Sequence, residues 1–155
     1  MEPPDRIDQP GLADYLEVMS KSVFQPGMSW RVVDAKWPEI RKAYHSFDPV
    51  SVAQFTETEI DDLATDKRVI RNRRKLEAVV ANARRMLELD ETHGSFRDYL
   101  RSHGGFEETV ADLRKQFRFV GDSGAYHFLY IVNEEVPSYE AWCASRGRDP
   151  KTAPG

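Results

Sequence analysis

Phe117-Arg118-Phe119-Val120-Gly121-Asp122-Ser123-Gly124-Ala125-Tyr126-His127-Phe128-Leu129-Tyr130-Ile131-Val132 can be built in two ways. On local propensity it is a β-hairpin, because two apolar runs rich in Phe, Tyr, Val and Ile flank a Gly-Asp-Ser-Gly turn. On spacing it is a turn followed by a buried helix, with Ala125, Phe128, Leu129 and Val132 on one face. Periodicity leaves both open.

The sequence on either side reads as helical. Downstream, Ser138 is a candidate N-cap for a last helix carrying Trp142. Upstream, Phe106, Val110, Leu113 and Phe117 keep one helical face, and Ser95 can cap a helix with Phe96, Tyr99 and Leu100 that stops at Gly104-Gly105. The clearest helix runs from about Arg73 to Leu89. Leu76, Val79, Val80, Ala83 and Leu87 hold its apolar stripe. Thr56-Glu57-Thr58-Glu59 fits a capping box ahead of Ile60 and Leu63. Asp48-Pro49 and Pro38 each suit a helix start. Ser29 can cap a short helix with Trp30 and Val33. Leu12, Tyr15, Leu16, Met19 and Val23 share a face that ends at Gln25-Pro26-Gly27, where proline removes a donor and glycine permits positive φ. Seven to nine short helices follow, which predicts an all-α globule rather than a long up-down bundle.

The chain has 155 residues, the size of one domain. We expect that domain over residues 11–146, with 1–10 and 147–155 as flexible tails, since the first is polar with three prolines and the second carries two prolines and two glycines. With 40% hydrophobic and 31% charged residues, it is neither a disordered nor a membrane chain by composition. No apolar run near the start resembles a signal peptide, so an intracellular, cytoplasmic protein is expected. Cys143 is the single cysteine and cannot form an internal disulfide. It reads as a small buried residue beside Trp142. His45, His93, His103 and His127 show no ligand spacing, so neither metal nor cofactor is expected. His127 reads as a satisfied core histidine, and Glu134-Glu135 as a solvated pair. The net charge of −4 excludes a globally basic nucleic-acid binder but not a local basic patch.

Such a patch exists. Lys67 to Lys75 carries six cations in nine positions, between a helix ending near Ala64 and the long helix from Arg73. Cations at a helix N-terminus oppose the helix dipole and one another. A phosphate would relieve both, accepting from backbone N–H groups and from arginine forks. The ordinary alternative is a solvated surface neutralised by Asp61, Asp62 and Asp66.

Several segments, taken in order, resemble the DNA-3-methyladenine glycosylase I family of the helix–hairpin–helix glycosylase superfamily. Gln25-Pro26-Gly27-Met28-Ser29-Trp30 is similar to its Q-x-G-[LM]-S-W loop, and Phe47-Asp48-Pro49 to its F-D-P. Val69 to Lys75 resembles its I-I-R-H-R-G-K hairpin, and Asn82-Ala83-Arg84 its N-A-R. Phe117 to Gly121 resembles F-[KR]-F-[VL]-G, and Tyr126, Phe128, Val132 and Asn133 continue the match. The correspondence covers Tyr15 to Glu134, about 120 of the 155 residues.

The resemblance implies a compact multi-helix glycosylase-like fold, two helical lobes with a lesion pocket between them, and it favours turn plus helix for Phe117–Val132. It implies excision of alkylated purines such as 3-methyladenine from double-stranded DNA by base flipping, by an expected monomer. A cationic base leaves neutral, so flipping, stacking and electrostatics can carry much of the rate. The implied base pocket is Trp30, Ser22, Phe24 and Tyr126. Gln25 and Met28 would wedge into the duplex, and Arg68, Arg71, Arg73, Arg74 and Lys75 would hold the DNA backbone. No catalytic residue is assigned; Asp122, at the Gly-Asp-Ser-Gly turn, is a weak candidate. Departures matter. The family's pocket glutamate falls on Ser22, its hairpin glycines on Arg68 and Arg74, and its zinc-binding ends are missing, with Glu135 and Tyr139 in place of two ligands. A catalytically weakened relative that binds duplex DNA or lesions through the basic hairpin is therefore the alternative. A third reading has the hairpin contacting another acidic ligand, with no DNA.

Overall fold

A computed structural model describes residues 6–151. Among these, nine α-helices and no strands occur: α1 Leu12–Phe24, α2 Trp30–Ala43, α3 Pro49–Ala53, α4 Glu57–Ala64, α5 Arg73–His93, α6 Phe96–Leu100, α7 Phe106–Gln116, α8 Asp122–Ile131 and α9 Tyr139–Ser145. Phe117–Val132 is turn plus helix. Its Phe, Tyr and Ile are strand formers locally, but Ala125, Phe128 and Leu129 bury one face of α8 in the core, and burial overrides propensity.

The helix starts follow their caps. Ser29 Oγ accepts from Val32 N–H, Thr56 Oγ1 from Glu59 N–H, Ser95 Oγ from Asp98 N–H and Ser138 Oγ from Ala141 N–H. Asn72 Oδ1 accepts from Lys75 N–H and opens α5. Gly94, at φ +89°, closes α5 in a conformation few side-chain-bearing residues adopt.

Pro38 does not begin a helix. It lies inside α2, which is continuous from Trp30. Pro38 and Asp34 are both exposed, so the carbonyl that loses its partner is hydrated, while Val33, Trp37 and Ile40 hold the buried face across the proline.

The long helix α5 is the axis of the molecule. It packs against α1, α3, α4 and α6, and α1 packs in turn against α8. Its buried residues keep the expected stripe of Leu76, Val79, Val80 and Ala83 and widen it with Ala78, Asn82, Met86 and Leu89 to about half of the helix circumference, and Met86 lies deeper than Leu87. Between α2 and α3 the rings of Trp37, Phe47 and Tyr44 stack at 5.3 and 5.4 Å, and Tyr44 Oη donates to Leu76 O of α5. Reaching that stack sets His45, Ser46 and Phe47 at φ +52°, +56° and +58°. Three left-handed residues in succession cost about 1–2 kcal/mol each, which the burial of Phe47 and Tyr44 offsets.

Three expectations need correction. Arg6–Asp8 do not form a loose tail. Ile7 N–H donates to Ile131 O at 2.7 Å, Arg6 donates to the carbonyls of Tyr130 and Glu134, and Asn133 Nδ2 donates to Asp8 O. Residues 1–5 lie outside the described region, as do 152–155 of the expected C-terminal tail. Glu134 is not solvated; it is buried, and its carboxylate accepts from both arms of Arg101. His127 is not satisfied, because its Nε2 is buried without a hydrogen-bond partner.

Candidate nucleic-acid interface

Lys75 stands on the first turn of α5. Its Nζ donates to Pro26 O at 3.0 Å, binding the Gln25–Trp30 loop to the basic turn. Lys36 of α2 reaches Lys67 O, and Arg68 pairs with Glu39 of α2 at 3.8 Å. The loop, the start of α2 and the basic turn therefore form one continuous surface. Within the loop, Gly27 takes φ +84°, Met28 N–H donates to Gln25 O, and Gln25 Nε2 returns to Met28 O. Gln25 and Met28 are half-buried, while Pro26 and Gly27 are exposed at the tip.

The six cations are not equivalent. Arg68 grips Asp66 with two nitrogens at 2.7–3.1 Å. Arg73 pairs with Asp61 and with Glu77, the latter at 2.8 Å. Lys75 is occupied by Pro26, and burial lowers its pKa. Among the described residues, Lys67, Arg71 and Arg74 are exposed and make no ion pair. Carboxylates thus neutralise two of the six cations and a carbonyl occupies a third, leaving the guanidinium groups of Arg71 and Arg74 astride Asn72 at the N-terminus of α5.

Trp30 opens α2. Its ring is half-buried against the core, and its Nε1 is buried with no acceptor. A buried indole N–H without a partner costs about 1–3 kcal/mol unless a ligand or water accepts from it. Ser22, on the last turn of α1, is half-buried and faces Gly124 of α8. A Cβ on Gly124 would stand 3.2 Å from Ser22 Cβ. That close approach brings the start of α8 to the end of α1, immediately before the Gln25–Trp30 loop.

Two other pocket candidates are enclosed. Phe24 is fully buried, its ring edge-on to Trp37 at 6.3 Å and tilted against Tyr44. Tyr126 is buried, stacked on Trp142 at 4.7 Å, and its Oη donates to Pro137 O. Phe24 belongs to the main core and Tyr126 to a separate cluster with Trp142 and Cys143. Asp122 lies at the first position of α8, but Arg146 grips it through Nε and Nη2 at 3.0 and 3.1 Å. That guanidinium holds the Asp122 carboxyl below the ordinary carboxylate range. The role visible for Asp122 is an inter-helix tie to α9, where Arg146 also takes Glu107.

Two residues were passed over as chemistry-bearing and prove to be positioning groups. Asn82, buried within α5, brackets the backbone of Arg118: Nδ2 donates to Arg118 O and Oδ1 accepts from Arg118 N–H at 2.8 Å. Arg84 donates to Ala53 O and Phe55 O, fixing the turn between α3 and α4. The signal for Asn82 was an amide at a core position of an otherwise apolar stripe. Among the described residues, no three His, Cys, Asp or Glu side chains converge to hold a metal ion, and no helix is long and apolar enough to cross a membrane. A surface hollow of about 220 Å³ lies toward the other end of α5, lined by Gln9, Leu12, Tyr15, Asp90, Ser95 and Arg97 among others, and touches none of the residues above.

Comparison with known proteins agrees with this arrangement. Residues 11–123 match the methyladenine glycosylase family. The chain is 30% identical over 136 aligned residues to DNA-3-methyladenine glycosylase 1 of Escherichia coli K12, covering 72% of this chain and 73% of that one. It is 32% identical over 126 residues to DNA-3-methyladenine glycosylase of Haemophilus influenzae, covering 68% of each. Among solved structures, 3-methyladenine DNA glycosylase I from Staphylococcus aureus superposes with TM-score 0.70 at 24% identity over 84% of this chain and 78% of that one. A solution structure of 3-methyladenine DNA glycosylase I gives TM-score 0.69 at 26% identity, over 81% and 79%. With residues 11–123 matched to its model and relatives at 30% and 32% identity over more than two thirds of the chain, the chain belongs to the methyladenine glycosylase family.

Proposed function

We propose that this protein is a DNA base-excision glycosylase that hydrolyses the N-glycosidic bond of alkylated purines such as 3-methyladenine after flipping the nucleotide out of the duplex. The observation that carries this reading is the Lys75–Pro26 hydrogen bond, which joins the Gln25–Trp30 loop to the arginine-bearing turn. A strand held at Arg71 and Arg74 then lies beside the loop whose last residue is Trp30.

In this reading the two arginines pair with phosphates, and the exposed tip of the loop, with Gln25 and Met28 behind it, enters the gap left by the base. The face of Trp30 takes the cationic ring, since an indole face attracts positive charge. Its Nε1 is buried and unpartnered, so a ligand or water reaching it would satisfy an otherwise costly donor. Ser22 offers a neutral hydrogen-bond partner. The C1′–N bond breaks with its electron pair going to the cationic base, which departs neutral, while water bonds to C1′ and releases its proton to solvent. Asp122 takes no part in this step, being engaged with Arg146.

One observation favours a second reading. Ser22 cannot supply the charge of the glutamate that the family resemblance puts there, and a lesion-binding relative without turnover would tolerate that. Release of free 3-methyladenine from methylated duplex DNA decides between them. The glycosylase reading expects release that Trp30→Ala reduces by at least tenfold. Salt-sensitive duplex binding with no release supports the second reading, and absence of both overturns the two together.

A further inference from the structure

Phe119 stands out on the surface of this molecule. It is 44% exposed, one of few large apolar side chains left open, and its φ is +60°. A bulky aromatic residue in the left-handed region is a true outlier, and it is ordinarily accepted in exchange for burial. Here burial is not obtained. Nor is the loop slack: Phe117 and Val120 on either side are buried, and the amide of Asn82 brackets the backbone of Arg118 with two hydrogen bonds. The chain is thus clamped at Arg118 and Val120, and the clamp presents to solvent the Phe119 ring and the Arg118 guanidinium, which makes no ion pair among the described residues.

Their position gives this presentation a meaning. Asn82 and Lys75 are seven residues apart on α5, which puts them on nearly the same face about 10 Å apart along the helix. Lys75 holds the Gln25–Trp30 loop there and Asn82 holds the Phe119 loop there. The chain leaving Phe119 enters α8, whose Gly124 meets Ser22 of α1 just ahead of the Gln25–Trp30 loop. Two loops, one tipped by Pro26-Gly27 and one by Arg118-Phe119, are therefore anchored to one side of α5.

We propose that Phe119 and Arg118 form a second DNA contact, in which the phenyl ring stacks on a nucleobase unstacked beside the flipped position while Arg118 pairs with the adjoining phosphate. This deepens the glycosylase reading and rests on it. An exposed aromatic face beside a guanidinium is the usual chemistry for holding an unstacked base, tolerant of sequence because every base has a π-face. The rigid clamp means that the ring does not have to be ordered on binding.

The test uses the full chain and a duplex containing an abasic-site analogue, with 2-aminopurine beside it. Phe119→Gly removes the ring and also relieves the positive φ, so its melting temperature should be unchanged or raised. Its affinity for the duplex should fall about tenfold, in keeping with loss of one base–aromatic stack. The quenching of 2-aminopurine on binding should be lost with it, and Phe119→Trp should restore both. Binding and quenching in Phe119→Gly within twofold of the parent would overturn the proposal while leaving the glycosylase reading intact. Failure of Phe119→Trp to recover either would overturn it too, since a packing role would then explain the loss. If the parent chain itself neither binds this duplex nor releases 3-methyladenine, the proposal falls together with the reading beneath it.

Discussion

Lys75 and Pro26 lie 49 positions apart in sequence and meet in a single hydrogen bond, ammonium to carbonyl, 3.0 Å long. One end belongs to the basic turn and the other to the loop ahead of Trp30. Lys75→Met keeps the aliphatic stem and removes the donor. We expect a stability loss of about 1 kcal/mol and faster amide exchange across Gln25–Met28, read by hydrogen-exchange mass spectrometry of that peptide. Unchanged exchange there would mean that the two parts of the interface are positioned independently.

The cations of the basic turn should separate into two groups. Arg71 and Arg74 are unpaired among the described residues, whereas Arg68 and Arg73 are already engaged by Asp66, Asp61 and Glu77. The double replacement Arg71→Ala, Arg74→Ala should lower the slope of log affinity against log salt by about 2. The double replacement Arg68→Ala, Arg73→Ala should change that slope by less than about 1, because each guanidinium leaves its carboxylate behind. Titrations of duplex binding across a range of KCl concentrations measure both.

Asp122→Asn separates a structural tie from a chemical role. Because Arg146 depresses the Asp122 pKa, the pair contributes stability above the ordinary aspartate range and loses it as the solution is acidified through the depressed value. The pair is partly exposed, so the asparagine variant should be less stable by no more than about 1 kcal/mol at neutral pH. Base release should stay within a few-fold of the parent. A hundredfold loss at full folding would place Asp122 in the chemistry after all.

His127 sets a different pH dependence. Burial first, and then the Arg148 charge, push its pKa below the ordinary 6.5. The unfolded chain binds a proton as pH falls through about 6.5 while the folded one stays neutral, so this residue removes stability on the acid side and is harmless above it. His127→Gln, placed against the same Tyr126 and Tyr139 rings, should shrink the difference in urea midpoint between pH 7.5 and pH about 5.5. An unaltered difference would assign the acid sensitivity to other groups.

The sequence was legible wherever the determining interaction is local. Ser29, Thr56, Ser95 and Ser138 mark helix starts because each bonds an N–H three residues on, and the Gln25–Gly27 break and the α5 start at Asn72 are equally short-range. Pro38 misled because a proline signals a start only if nothing carries the helix through it, and Trp37 and Ile40 do. By pattern alone Phe117–Val132 stays open, because strand-forming side chains and helical spacing coexist there; the family resemblance selects turn plus helix, and the packing of α8 on α1 agrees. Of the site's electrostatics, the sequence names Asp61 and Asp66 as neutralising carboxylates, and they meet Arg73 and Arg68; which cation each takes, and the longer-range pairs, were hidden. Arg73 meets Asp61 across 12 positions, Asp122 meets Arg146 across 24, and Glu134 meets Arg101 across 33, so a count of cations in a window overstates what is free. Phe24 and Tyr126 were credible as pocket walls by position, but the depth at which each is buried is a tertiary fact.

Arg6 and Ile7 fasten the beginning of the described chain to the exit of α8, so that helix is held at both of its ends, by Asn82 through the preceding loop and by this strap behind it. The arrangement has a practical result. Removing residues through Ile7 cuts the strap from the same helix that carries Gly124 toward Ser22, so a chain shortened there should lose rigidity at α8 although no residue of the interface has been altered.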